Sequence, residues 1–406
     1  MSHRSFSPRT LSPLALAVCL SSSLVAHGET FTVSDSASLQ SALNAAASNS
    51  VDDTVILANG TYATADNGGA FVFNDAGGNN LTIQAQSVSA AILDGGNLHE
   101  VLVIKHALRR GTIVLNGLIV QNGTRGVRIE NASADLSHLT LRNHHIDTGL
   151  DRQDGAALAV LGNVESVKIS DCLFNDNQTI NRQLDSHGGA AVLQAASIEV
   201  QRSQFIRNQA SRYGGALMLT SSRPNTVITD SDFEDNHTGV GNYGFGGAVY
   251  INQNLTTRNN LFHRNVAESL GSERSQGGAI FATALLLSQN DLFSENTASI
   301  GGAIRGNAKT DIENGVFRAN HATTMGAAIM LNSVGGNGFS GIQNSLFIAN
   351  QGGDGAPARA CSLIQQSGYR PGPAPVGKSN SGGACRSPDS VPVAARKVRP
   401  GWCQGP

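Results

Sequence analysis

The side chains best suited to chemistry in this 406-residue sequence crowd into residues 142–154, which read RNHHIDTGLDRQD. The stretch holds two imidazoles, His144 and His145, three carboxylates, Asp147, Asp151 and Asp154, and the guanidinium of Arg152. Together such groups bind a cation or an acidic sugar, and a histidine or carboxylate among them serves as a general base. The plainer reading is an exposed polar loop between two structural elements. Asp185 and His187 make a weaker second pair. Lys105, Lys168 and Lys309 stand alone in sequence, and Arg128-Ile129-Glu130 lacks accompanying aspartate pairs. Tyr213, Tyr243 and Tyr250 could stack on sugars, although an outward aromatic on a sheet is more often packing. No zinc spacing, nucleophile elbow or phosphate loop is present. These residues alone therefore assign no catalytic group, cofactor or metal.

The elements that must position these residues are set by a repeat. An aromatic-x-x-Asn unit returns at Phe174/Asn177, Phe205/Asn208, Phe233/Asn236, Phe262/Asn265, Phe293/Asn296, Phe317/Asn320 and Phe347/Asn350. A Gly-Gly-Ala unit alternates with it, beginning at Gly188, Gly214, Gly246, Gly277 and Gly301, with a degenerate copy at Gly326. A fixed period of this length marks a solenoid or a related repeat architecture. After each Gly-Gly-Ala the flanking positions are apolar or small, while the one between them is Val192, Met218, Tyr250, Phe281, Arg305 or Met330. That alternation of two belongs to a strand with one buried face. A second apolar run precedes each Phe, so each repeat is expected to hold two or three short strands and no helix.

The expected fold is all-β: a right-handed parallel β-helix of about ten coils with a short N-terminal capping helix. Stacked Phe rings would fill the interior, and stacked Asn side chains would form a hydrogen-bonded ladder along one turn. The Gly pair would supply a tight corner with positive φ. Residues 1–28 read as a signal peptide, with Arg4 and Arg9 before an apolar run and Ala26-His27-Gly28 as a cleavage site. Residues 29–62 form a cap and first strand, in which Leu39, Ala42, Leu43 and Ala46 share a helical face. The β-helix is expected over 63–352, with looser coils whose apolar stretches end at Asn122 and Asn143. Residues 353–406 carry eight of the eleven prolines and read as an irregular tail. A Cys361–Cys385 bridge fits an exported protein, leaving Cys403 and a buried, unpaired Cys172.

Charged residues make up 14 % of the chain and the net charge is −2, which argues against a nucleic-acid partner. No second apolar stretch suggests a membrane span in the mature chain. The alternation of Phe-x-x-Asn with Gly-Gly-Ala resembles the repeats of the polymorphic outer-membrane proteins, within the pectin-lyase-like, right-handed β-helix superfamily. That resemblance covers about 174–350. It implies an exported bacterial protein, secreted or associated with the cell surface or outer membrane, whose partner is an extracellular glycan or another surface. It leans away from an enzyme. The alternative implied by the superfamily is a polysaccharide lyase or hydrolase working on an acidic polysaccharide in a groove, with Ca²⁺ possible for a lyase. None of the three lysines stands in the Asn/Glu/Lys/Arg pattern of alginate- and chondroitin-type lyases. Unlike family members with an autotransporter layout, the chain has only a Pro-rich stretch after the last repeat, too short for a transmembrane β-barrel.

Overall fold

The structure, a computed structural model, describes residues 28–107, 111–146, 155–180, 185–220, 225–239, 243–270, 274–333, 340–352 and 361–365. The expected signal peptide up to residue 27, and Cys385 and Cys403, lie outside them.

The chain winds into a parallel β-helix with four strands to a coil, where alternation in the sequence suggested two or three. One coil runs through Ser166–Ser170, Leu173–Asn175, Gln178–Thr179 and Ala191–Gln194. Strands of two and three residues are too short to display alternation, so they leave no pattern to read. Each strand pairs in parallel with its counterpart one coil on, as Phe174 with Phe205 and Ala191 with Leu217. The described strands build four sheets. The first has twelve strands, from Thr30–Val33 to Gly341–Gln343; the second has eleven, from Gly60–Ala63 to Leu346–Ile348. The third has eight, from His145–Ile146 to Gln351–Gly352, and the fourth eleven, from Phe71–Asp75 to Cys361–Gln365. That last strand lies within the stretch whose composition suggested an irregular tail.

The seven Phe side chains of the repeat point inward from the second sheet and are all buried. Their rings stack with centroids 4.8–4.9 Å apart and planes within 10° of parallel. This spacing is that of the strands themselves, so the backbone repeat imposes ring stacking on any column of identical aromatics.

The two glycines of each Gly-Gly-Ala unit answer different constraints. The first has φ between 59° and 69° from Gly188 to Gly326, a region that costs any residue with a Cβ. The second lies outside the positive-φ region but is crowded: a Cβ on Gly247 would lie 2.1 Å from the Gly278 carbonyl oxygen, and one on Gly278 would lie 2.1 Å from that of Gly302. Only hydrogen fits between successive coils there.

The helix Ser36–Ala46 closes the first coil and buries Leu39, Ala42, Leu43 and Ala46. Asp35 caps it, accepting from the Ser38 N–H, while the Ser38 hydroxyl accepts from the Asp35 N–H. Gln40 performs a further service. Its amide donates to the Val72 carbonyl and accepts from the Val72 N–H, both at 2.8 Å, so one side chain satisfies the edge strand of the fourth sheet as a neighbouring strand would.

Candidate functional site

Of the six candidates in the stretch richest in ionisable groups, only the two histidines are among the described residues. Asp147, Asp151, Arg152 and Asp154 lie outside the described residues, and the two histidines part company. His145 is exposed. His144 is fully buried and belongs to the asparagine ladder. In that ladder the Asn208 Oδ1 accepts from both the backbone N–H and the Nδ2 of Asn177, while Asn177 Nδ2 also donates to the Leu141 carbonyl. The pattern continues through Asn236, Asn265, Asn296, Asn320 and Asn350. His144 fills the same place one coil earlier. Its Nδ1 accepts from the Gly123 N–H at 3.0 Å, its Nε2 lies 3.1 Å from the Val120 carbonyl, and its backbone N–H donates to Asn177 Oδ1 at 3.2 Å.

Because Nδ1 accepts from a backbone donor, the proton must sit on Nε2. The imidazole is thus held neutral, and burial lowers its pKa to about 4. Gly123 and Gly126 make room for it: a Cβ at either would come within 3.0 Å of the ring. In this position His144 ties three successive coils together. The sequence offered a signal that was one residue off. Asn143, where the apolar stretch ends in sequence, occupies the left-handed corner position (φ 57°) that Asp176 takes in the next coil.

A second ladder, built from unlike residues, follows the corner between the first and second sheets. The Ser203 hydroxyl accepts from the Cys172 N–H, the Ser231 hydroxyl from the Ser203 N–H, Asn260 Oδ1 from the Ser231 N–H, and Asp291 Oδ1 from the Asn260 N–H. Cys172 is buried, in no disulfide, and burial pushes its thiol up to about 12, so it is a packing residue. Asp291 is buried too. Burial raises its pKa, while hydrogen bonds from Thr257, Ser288 and Asn260 work against that rise.

Two clusters remain, both on the outer face of the fourth sheet. Near the cap, the residues that looked isolated in sequence converge across the strands Glu100–His106 and Arg125–Glu130. Arg128 bridges Glu100 (2.6 Å) and Glu130 (2.7 Å), Arg125 reaches Glu100 (2.6 Å), and Lys105 lies 3.7 Å from Glu130. Both carboxylates are tied to guanidinium groups on an adjacent or the same strand, as in an ionic clamp between coils.

The other cluster lies further along the same face. Met218, Tyr250, Phe281, Arg305 and Met330 are successive Cα partners across the sheet. Alternation marked this column as outward, and it is outward, yet Met218, Phe281, Arg305 and Met330 are each at most 8 % exposed. The residues just before each glycine corner cover them. His187, Tyr213, Phe245, Gln276 and Ile300 form a file of single parallel bridges along the sheet. Tyr213 packs on Tyr250 (centroids 4.4 Å) and Phe245 on Phe281 (5.0 Å). Arg212 completes the group: its guanidinium carbon lies 5.0 Å from the Tyr213 ring and 4.7 Å from that of Tyr243. It pairs with Asp185 and donates to the Tyr243 hydroxyl at 2.6 Å. His187 is buried against Tyr213. Tyr213, Tyr243, Phe245 and Tyr250 are half-buried, so the layer presents aromatic edges and a guanidinium to solvent. Burial, reinforced by the Tyr213 phenol, holds the Tyr250 hydroxyl above the ordinary tyrosine range and hence neutral.

Among the described residues no three His, Cys, Asp or Glu side chains converge to hold a metal ion. No described helix is long and apolar enough to cross a membrane.

A family model for the right handed beta helix region matches residues 104–285, and with the coil geometry above this defines the fold as a right-handed parallel β-helix. No curated protein sequence matches the chain. Similar solved structures include a PL6 family alginate lyase, AlyGC, at 13 % identity and TM-score 0.37, the match covering 71 % of this chain and 38 % of that one. Another is the alginate lyase AlyF-OU02, at 15 % identity and TM-score 0.44, covering 82 % and 62 %. A third is an alginate lyase from Paenibacillus sp. str. FPU-7, at 12 % identity and TM-score 0.32, covering 78 % and 97 %. The chain thus spans under two thirds of the length of the first two, and all three likenesses are of fold alone.

Proposed function

We propose that this is an exported contact protein that recognises glycans on another surface through the outer face of its fourth sheet. The observation that carries the reading is the half-buried layer of Tyr213, Tyr243, Phe245 and Tyr250 with Arg212 set over two of its rings. Aromatic rings joined to a fixed cation suit a sugar, whose C–H faces stack on rings while its hydroxyls and acidic groups accept from the guanidinium. A rigid solenoid repeats such a surface along a line, which suits an extended polymer. The resemblance of the lettering to polymorphic outer-membrane repeats supports the same reading and an outer-surface location.

The test is binding of the purified protein to glycan arrays and to cell surfaces. Binding is expected, and the double variant Tyr213→Ala/Tyr243→Ala should lose most of it. Absence of binding by the unaltered protein would sink the proposal. The second reading, a polysaccharide lyase, rests on the convergence of Lys105, Arg128, Glu130 and Glu100. Ultraviolet absorbance of unsaturated uronate, followed on pectate, alginate and glycosaminoglycans with and without Ca²⁺, decides it. A sustained rise abolished by Lys105→Ala would replace the contact reading, and a flat trace is expected.

A further inference from the structure

Arg305 differs from the exposed arginines of the coils in being buried. Arg202, Arg207 and Arg264 each chelate an aspartate of the preceding coil through two hydrogen bonds, and all three lie toward solvent. Arg305 is 8 % exposed, lies between Phe281 and Met330 in the outward column, and has no carboxylate partner among the described residues. Its Nε donates to Gln276 Oε1 at 3.1 Å, which fixes the side chain. Its Nη1 is buried with no hydrogen-bond partner. Two residues on, the Asn307 Oδ1 is also buried and unpartnered. A donor and an acceptor two residues apart are therefore both buried without a partner in this part of the fourth sheet.

A buried, unpaired guanidinium weakens a fold, and burial here lowers even the arginine pKa. Nothing about the column requires the charge, because Met218 and Met330 fill equivalent positions. Its place in the row suggests what it is for. Tyr250, Phe281 and Arg305 succeed one another at the strand spacing of about 4.8 Å, so the guanidinium lies two rungs beyond the half-buried Tyr250, beneath the file to which Gln276 belongs, and a ligand group reaches it only from the edge of that file.

Resting on the contact reading above, we infer that Arg305 is the receptor for an anionic substituent, a carboxylate or a sulfate, on the glycan bound along this face. A guanidinium matches either group with paired hydrogen bonds, and Asn307 Oδ1 is free to take a hydroxyl of the same sugar. Ligand binding would supply the counter-charge that the folded chain does not.

The test uses the full chain and its Arg305→Met and Arg305→Gln variants, with three polymers: polygalacturonate, dextran sulfate and neutral dextran. Thermal unfolding is measured without ligand, and binding at low and high salt. The inference expects Arg305→Met to keep or raise the unfolding midpoint, by about 2 °C. It also expects both variants to bind the acidic polymer at least tenfold more weakly. The polymer that loses affinity identifies the carboxylate or the sulfate. Should Arg305→Met unfold several degrees lower with affinity unchanged, the residue is structural and the inference falls. Binding of neutral dextran as tightly as the acidic polymers, untouched by either variant, also overturns it while leaving the contact reading standing. Failure of the unaltered protein to bind any glycan defeats both together.

Discussion

His144 and Asn177 stand one above the other in a single ladder, with the His144 N–H donating to Asn177 Oδ1 at 3.2 Å although one residue is an imidazole and the other an amide. The equivalence is chemical. Neutral imidazole with its proton on Nε2 offers one acceptor and one donor, as the Asn side chain does to the coil before it.

The first prediction concerns pH. The folded site holds the imidazole pKa at about 4 against an ordinary 6.5. Between these values the unfolded chain takes up a proton that the folded chain refuses, so stability is full above 6.5, declines as pH falls toward 4, and is level below that. The loss is on the order of 3 kcal/mol, from about 1.4 kcal/mol per unit. Urea unfolding across this range should show the decline in the native protein and a much smaller one in His144→Asn. An equal decline in both would refute the assignment.

Asn236 tests the ladder itself. Replacing it with Ala strips acceptors from the Asn208 N–H and Nδ2 and leaves them buried. A cost of about 2–4 kcal/mol is expected from two orphaned donors. Asn143→Gly, at an exposed left-handed corner, should cost almost nothing. Denaturant midpoints compare the two, and the ladder account fails if they are alike.

Gly247→Ala should damage the fold although its φ is not positive, because the added Cβ meets the Gly278 carbonyl oxygen at 2.1 Å. The coils would have to separate, a strain of about 1–3 kcal/mol or more by comparison with overpacked cores. Wild-type unfolding midpoints and soluble yield in this variant would contradict the close-approach argument.

Asp291 should respond to pH in the opposite sense from His144. Its carboxyl pKa is raised, so its favourable contribution is complete at acid pH and is lost as pH rises through the folded value. Asp291→Asn keeps an oxygen for the Asn260 donors and removes the charge. The variant should be more stable than the native protein at pH 8 and gain little at pH 4. A destabilised variant at pH 8 would show that the carboxylate itself is required.

Arg212→Lys tests the contact face. Lysine keeps the charge but loses the planar fork that stacks on Tyr213 and Tyr243 while reaching Asp185. Glycan affinity is expected to fall roughly tenfold, about 1.4 kcal/mol, with the unfolding midpoint nearly unchanged. Retained affinity would mean that charge alone suffices.

By itself the sequence determined the solenoid, because each coil meets the same local demands and meets them with the same letters. Phe205 and Phe233 fill the interior, Asn208 and Asn236 bind the turn, and Gly214 and Gly246 supply the positive φ. The second ladder left no such trace, since Cys172, Ser203, Ser231, Asn260 and Asp291 satisfy one geometric need with four different functional groups. His144 read as part of a polar loop and is buried in the ladder, because at a corner one residue separates the solvent from the core. Only the tertiary structure decided the candidate surface. Arg212, Tyr243 and Phe281 lie on different coils and differ in type, so although they keep the repeat spacing no repeated lettering marks them as one surface. They meet because parallel coils stack residues about 30 positions apart at one strand spacing, and that proximity is a property of the wound chain, not of any stretch within it.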